Sequence, residues 1–170
     1  MLGETLSDPM GVESGGSMRG MELLPMDTVF AADKTRTQAE GSFCEMEGVF
    51  SSLSGVSFSG YEIHMGQSML RSGSHNLTRL TVNGEKKADG ACAQNVFGTY
   101  VHGIFDREQV AAGIVRALGE HRGIDMSSAS GVDFDAFKQT QYDILAAALR
   151  EHLDMEAIYR ILEEGISRER

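Results

Sequence analysis

The stretch Asn95-Val96-Phe97-Gly98-Thr99-Tyr100-Val101-His102-Gly103-Ile104-Phe105-Asp106 is where an aromatic and β-branched run gives way to helix-forming sequence. Residues of these types favour strands, and the run over 95–102 is apolar enough to predict an interior strand. Behind it, Asp106-Arg107-Glu108-Gln109 has the form of a capping-box relative, with Asp106 as the expected N-cap. Val110, Ile114, Val115 and Leu118 then recur at helical spacing, and Gly119 or Gly123 is expected to end the helix. A strand that runs out through a loop into a helix is the unit of an α/β fold, and ligands collect at the carboxyl ends of such strands. His102 stands at that point. Position alone is better met by an imidazole that merely caps a sheet edge.

Working outward, the chain changes texture once. Residues 11–105 are strand-rich, with Gly, Ser and Thr between short β-prone runs, and 106–166 are helical, rich in Ala, Leu and Ile. Residues 34–40 and 43–49 alternate charged and β-forming types and predict two strands, paired across a Glu-Gly-Ser turn. Val56, Phe58 and Ile63 alternate with polar neighbours, and 77–82 predicts another strand closed by Asn83-Gly84. In the second part, Phe137, Ile144, Leu145, Ala148 and Leu149 share one face of a helix over 134–153, and Asp154 is placed to cap a last helix carrying Ile158, Ile161 and Leu162. Residues 167–170 read as an exposed charged tail. At 170 residues, 41% of them hydrophobic, the chain is long enough for one domain with a real core.

Charge and cysteine usage narrow the function classes. A formal charge of −10 repels phosphate backbones and anionic lipid, and no block of Lys or Arg interrupts it, so neither nucleic acid nor a membrane is an expected partner. The two cysteines, Cys44 and Cys92, are far apart and form no CxxC pair, which signals neither a disulfide framework nor a zinc knuckle and fits a reducing cytoplasm. The N-terminus lacks the basic and apolar regions of a secretory leader. Five histidines without an i, i+3 or i, i+4 pairing predict no metal site. His75 and His121 read as polar-loop residues and His152 as a helix-end residue. No GxGxxG or P-loop occurs, so no nucleotide or other cofactor site is expected in this chain.

Taken in order, Leu23-Leu24-Pro25-Met26-Asp27-Thr28, Lys34-Thr35, Gly60-Tyr61-Glu62-Ile63-His64-Met65-Gly66 and GTYVHGIFD resemble the glutamine amidotransferase domain of the cobyric acid synthases. Tyr142-Asp143-Ile144-Leu145 and Ala148-Leu149-Arg150-Glu151-His152-Leu153 resemble that family's closing helices, so the resemblance spans nearly the whole chain. It implies an α/β fold: a class I amidotransferase-like, flavodoxin-like sheet with flanking helices. It also implies hydrolysis of L-glutamine by a cysteine nucleophile. The ammonia would go to a synthetase domain that uses ATP and magnesium to amidate carboxylates of a corrin in cobalamin biosynthesis. A thiolate must attack the amide, and a neighbouring histidine must hold the thiolate and protonate departing ammonia. His102 matches that catalytic histidine. Relatives outside the cobalamin pathway carry a glutamate two residues later to orient the imidazole; here that place is Ile104, so another group must set the tautomer.

Tyr61, Glu62 and His64 are candidate substrate-binding residues on the same resemblance. Strand alternation puts Glu62 and His64 on one face and Tyr61 and Ile63 on the other, and pocket lining and plain strand packing account for the pattern equally. In the family the nucleophile sits in a Gly-x-Cys-Gly-Gly-x-x-Met-Leu-Gly elbow. The sequence opens on Met1-Leu2-Gly3, and the expectation is therefore an N-terminally truncated, partial amidotransferase domain over 1–170, completed by an upstream domain or chain that carries the cysteine. Cys44, beside Glu45 and Glu47, and Cys92, between alanines, read as structural thiols rather than nucleophiles. Alone, such a piece is expected to be inactive and poorly stable, with uncovered strand edges. Two alternatives stand beside this reading: an inactive amidotransferase-like interaction module, and a fragment of a cobyrinic acid diamide synthase.

Overall fold

A computed structural model describes residues 1–127 and 131–165. The charged tail read from 167–170 lies outside them. The chain divides into two compact units, Met1–Val132 and Asp133–Arg170.

The first unit is built on one long strand. β1 (Thr5–Asp8) and β2 (Gly16–Arg19) form an antiparallel pair, and β3 (Met26–Phe43) runs parallel to β1 through Asp27–Val29. β4 (Ser57–Leu70) pairs antiparallel along nearly all of β3, from Met26↔Leu70 to Ser42↔Ser57. Where β1 leaves the edge of β3, β5 (Thr78–Val82) takes it over from Glu40↔Thr81 to Phe43↔Thr78, and β6 (Glu85–Asp89) pairs with β5. The two strands expected over 34–40 and 43–49 are therefore not a hairpin. The first is the middle of β3, and of the second only Phe43, the last residue of β3, is in a strand: 44–47 join no ladder, and Gly48–Leu53 coils into a 3-10 turn.

The run over 95–102 also departs from expectation. It is not one interior strand: β8 (Val96–Gly98) pairs only with β7 (Ala91–Ala93) in a separate two-stranded sheet, and β9 (Val101–His102) joins the main sheet on β4. Thr99 and Tyr100 lie between them outside any ladder. The turn after His102 closes with the Asp106 amide donating to the Gly103 carbonyl. α1 (Glu108–His121) follows with Arg107, not Asp106, at its N-cap and no side-chain cap bond.

The result is a mixed α/β unit with a central seven-stranded sheet. Its main core joins Ala39, Phe43, Phe58, Leu80 and Val101 of the sheet to Ile104 of the turn, Leu53 of the 3-10 segment and Val110 of α1. A smaller cluster gathers Leu24, Met26, Ala91 and Ala93.

In the second unit, α2 (Phe134–His152) begins at the residue expected and α3 (Met155–Glu164) directly behind the expected cap, Asp154; the cap of α2, Asp133, was not singled out in the sequence. Asp133 accepts from the Ala136 amide at 3.0 Å and Asp154 from the Ala157 amide at 2.9 Å. The apolar face read over Phe137, Ile144, Leu145 and Leu149 is present but exposed.

Leu80 has no exposed surface. Leu80→Ala is expected to lower unfolding free energy by about 2–5 kcal/mol in urea titration, whereas Val115→Ala on the exposed side of α1 stays within about 0.5 kcal/mol.

Candidate active site

β4 organises the site through its pleat. Successive residues face opposite sides of the sheet, so Glu62, His64, Gly66 and Ser68 look one way and Tyr61 and Ile63 the other. A bulge sits between the Phe30↔Gly66 and Thr35↔His64 pairs, where Met65 alone faces four residues of β3 and the strand is locally bent. The first set opens onto a cleft of about 490 Å³ floored by Met26, Leu70 and Ala91 and walled by Lys87, Thr99 and Tyr100.

Glu62 is 2% exposed and is the charged anchor of that cleft. His64 Nε2 lies 2.7 Å from Glu62 Oε1, and Lys87 Nζ, from β6, donates to the same oxygen at 2.7 Å. Oε2 takes an ionic contact from Lys87 at 2.5 Å without a directed hydrogen bond. Burial alone would push the Glu62 carboxyl up, but the bonds and charges of Lys87 and His64 outweigh it and hold the carboxyl below its ordinary value. The other ring nitrogen of His64, Nδ1, faces the Gly66 carbonyl at 2.7 Å. Both ring nitrogens of His64 are thus engaged by oxygens. The His64 ring stacks on Tyr100, with centroids 4.0 Å apart and planes 15° apart.

His102 is on the other face. The register Tyr61↔His102 and Glu62↔Val101 sends His102 outward beside Tyr61, while Val101 enters the core with Glu62. Gly60 makes this approach possible: a Cβ there would lie 2.2 Å from the His102 carbonyl oxygen. His102 Nδ1 is 2.9 Å from the Tyr100 carbonyl, an acceptor only, so Nδ1 carries the proton. Nε2 has no protein partner among the described residues. Ile104, at the position of the orienting glutamate, is 5% exposed and packs in the core.

Of the four residues singled out from the sequence, the structure thus joins Glu62 with His64 in the cleft and Tyr61 with His102 on the opposite face. Lys87 escaped the sequence reading because Glu85-Lys86-Lys87 looks like a solvated hairpin. Its only signal is that it alternates toward the same side as Asp89.

The two cysteines differ in setting. Cys92 is buried, and burial together with the charge of Glu47 pushes its thiol up. Cys44 ends β3's edge, its amide donating to Leu77. His75 pairs with Cys92 in an isolated bridge, and His121 and His152 are the last residues of α1 and α2. Among the described residues no group of three His, Cys, Asp or Glu is arranged to hold a metal, and no helix is long and apolar enough to cross a membrane.

Residues 1–110 match the CobB/CobQ-like glutamine amidotransferase domain. The chain belongs to this family. It is 45% identical to the cobyric acid synthase of Ruminiclostridium cellulolyticum over 170 residues, which is 98% of this chain and 33% of that protein. It is 42% identical to the cobyric acid synthase of Lachnoclostridium phytofermentans over 179 residues, and 38% identical to that of Citrobacter koseri over 168. The amidotransferase chain spans about a third of the length of these curated relatives.

The depressed Glu62 carboxyl gives the domain a defined acid response. A group whose folded value lies below its unfolded one stabilises the fold above the unfolded value, and the contribution is lost as pH falls through the folded one. Stability is expected to decline below the ordinary glutamate range, and Glu62→Gln should flatten that decline. Lys87→Met, which strips an ion-pair partner from a buried carboxylate, is expected to destabilise at neutral pH by on the order of 1–3 kcal/mol in thermal melts.

Proposed function

We propose that this chain supplies the histidine-bearing part of the glutaminase site of a cobyric acid synthase. The observation that carries the reading is the state of His102: an exposed imidazole at a strand end, its Nδ1–H committed to the Tyr100 carbonyl and its Nε2 open. A neutral ring in that tautomer presents a basic nitrogen to its surroundings. Family membership and 45% identity to a cobyric acid synthase support the substrate assignment.

The chemistry follows from that nitrogen. Nε2 takes the proton of a cysteine thiol, and the thiolate attacks the side-chain amide carbon of L-glutamine. As the tetrahedral adduct collapses, the imidazolium returns the proton to the leaving nitrogen and ammonia departs. Water then opens the thioester to glutamate, with Nε2 again as base. Cys44 and Cys92 do not meet the demands on this nucleophile, so the reading assigns it to a partner segment that precedes this domain or joins it as a separate chain. Tyr61, which borders His102 on the outer face, is placed to meet the glutamine that reacts there, whereas Glu62 and His64 line the cleft on the other side of the sheet and do not touch it. The ammonia serves the amidation of corrin carboxylates in cobalamin biosynthesis. ATP and magnesium are assigned to the synthetase domain, because no phosphate-cradling glycine loop occurs here. Two free thiols fit a reducing cytoplasm.

In the complete enzyme, His102→Ala is expected to lower glutamine-dependent amidation by about 10²–10⁴-fold while amidation driven by added ammonium salt persists. Undiminished glutamine hydrolysis in that variant overturns the reading. Glutamine hydrolysis by this chain alone would instead make Cys44 or Cys92 the nucleophile.

A further inference from the structure

Between β8 and β9 the backbone of Thr99 and Tyr100 belongs to no ladder, so its position depends on side chains. Thr99 is tied twice. Its hydroxyl donates to Asp89 Oδ2 at 2.5 Å and accepts from the Val101 amide at 3.0 Å. Tyr100 is tied through its ring, which stacks on His64, and through its hydroxyl, 2.7 Å from Ser68 Oγ, which is itself 2.9 Å from Thr28 Oγ1. Gly66 keeps the room for this anchor, since a Cβ there would lie 2.8 Å from Thr28 Cγ2 and 3.2 Å from the Tyr100 hydroxyl. The carbonyl of this same tyrosine receives His102 Nδ1–H.

We propose that Tyr100 is a positioning residue: its side chain, anchored in the cleft, fixes the peptide carbonyl that sets the tautomer of His102 on the opposite face. The proposal rests on the reading of His102 as the glutaminase base. It replaces the missing carboxylate by a backbone acceptor, which no side-chain substitution can delete, and moves control to the ring that holds that acceptor still. It also couples the two faces. His64, Ser68 and Tyr100 all line the cleft, so a molecule that enters it meets the ring anchor directly. A shift of the ring reaches His102 through one peptide unit.

The test is the tautomer itself. Histidine labelled with ¹⁵N in this chain gives imidazole nitrogen resonances that distinguish Nδ1–H from Nε2–H at a pH where the ring is neutral, and His102→Gln identifies the signals. The parent chain is expected to show Nε2 as the unprotonated nitrogen. Tyr100→Phe, which keeps the stack on His64 and loses the Ser68 bond, should shift the population toward a mixture, and Tyr100→Leu should shift it further. His121, at the end of α1, reports whether each variant remains folded. A His102 tautomer unchanged in both folded Tyr100 variants overturns the proposal, whatever the glutaminase shows. In the complete enzyme, Tyr100→Phe should reduce glutamine-dependent kcat on the order of 10- to 100-fold, the scale of a misoriented catalytic group, with ammonium-driven amidation retained. A His102→Ala variant that still hydrolyses glutamine overturns the underlying catalytic reading instead, and the tautomer experiment separates the two failures.

Discussion

The pleat of β4 is the constraint on which the rest of the site depends. Because its residues alternate, one strand serves the cleft with Glu62, His64 and Ser68 and at the same time presents Tyr61 to β9. A slip of one position against β3 would exchange the two sets, sending the buried carboxylate to solvent and stripping Lys87 of its partner. The long register from Met26↔Leu70 to Ser42↔Ser57 prevents that slip, and the apolar residues Ala39 and Phe58, buried on one side of it, give the register its energetic weight. Fold and site are therefore set by the same pairings.

Glu62 shows what the arrangement demands in return. A carboxylate at 2% exposure is tolerable only with charged or hydrogen-bonding partners on hand, and these come from two places in the chain, His64 on its own strand and Lys87 on β6. β6 does not pair with β4. It reaches the carboxylate because β5 folds back on the end of β3, so the hairpin that looks peripheral in the topology closes the charge balance of the cleft.

Much of this was legible in the residues. The α/β class, the cap at Asp154 and the shared face of Glu62 and His64 follow from local rules, since each depends on neighbours within a few positions; His102 was singled out by the family's motif and not by its position. What was not legible depends on tertiary partners. The single strand read over 95–102 fails because composition favours extension throughout, while Thr99 and Tyr100 spend their side chains on Asp89, His64 and Ser68 instead of continuing a ladder. Asp106 looks like a cap, yet the chain uses its amide for the turn onto Gly103 and starts the helix two residues later. Lys87 was invisible for the same reason: a lysine in a polar hairpin is ordinarily solvated, and only the fold brings a buried carboxylate beneath it.

The two-residue length of β9 has a kinetic meaning. Two register positions on β4 give the segment bearing His102 few ladder bonds, but Val101 sits in the core with Phe58, Leu80 and Val110, so the segment leaves the sheet only when that core loosens around it. Its amide hydrogens would then trade with solvent on the clock of that local opening. An imidazole carried on such a segment is pinned through Val101 and Tyr100, and passes a proton between heavy atoms by turning its ring, with the sheet that presents it unmoved.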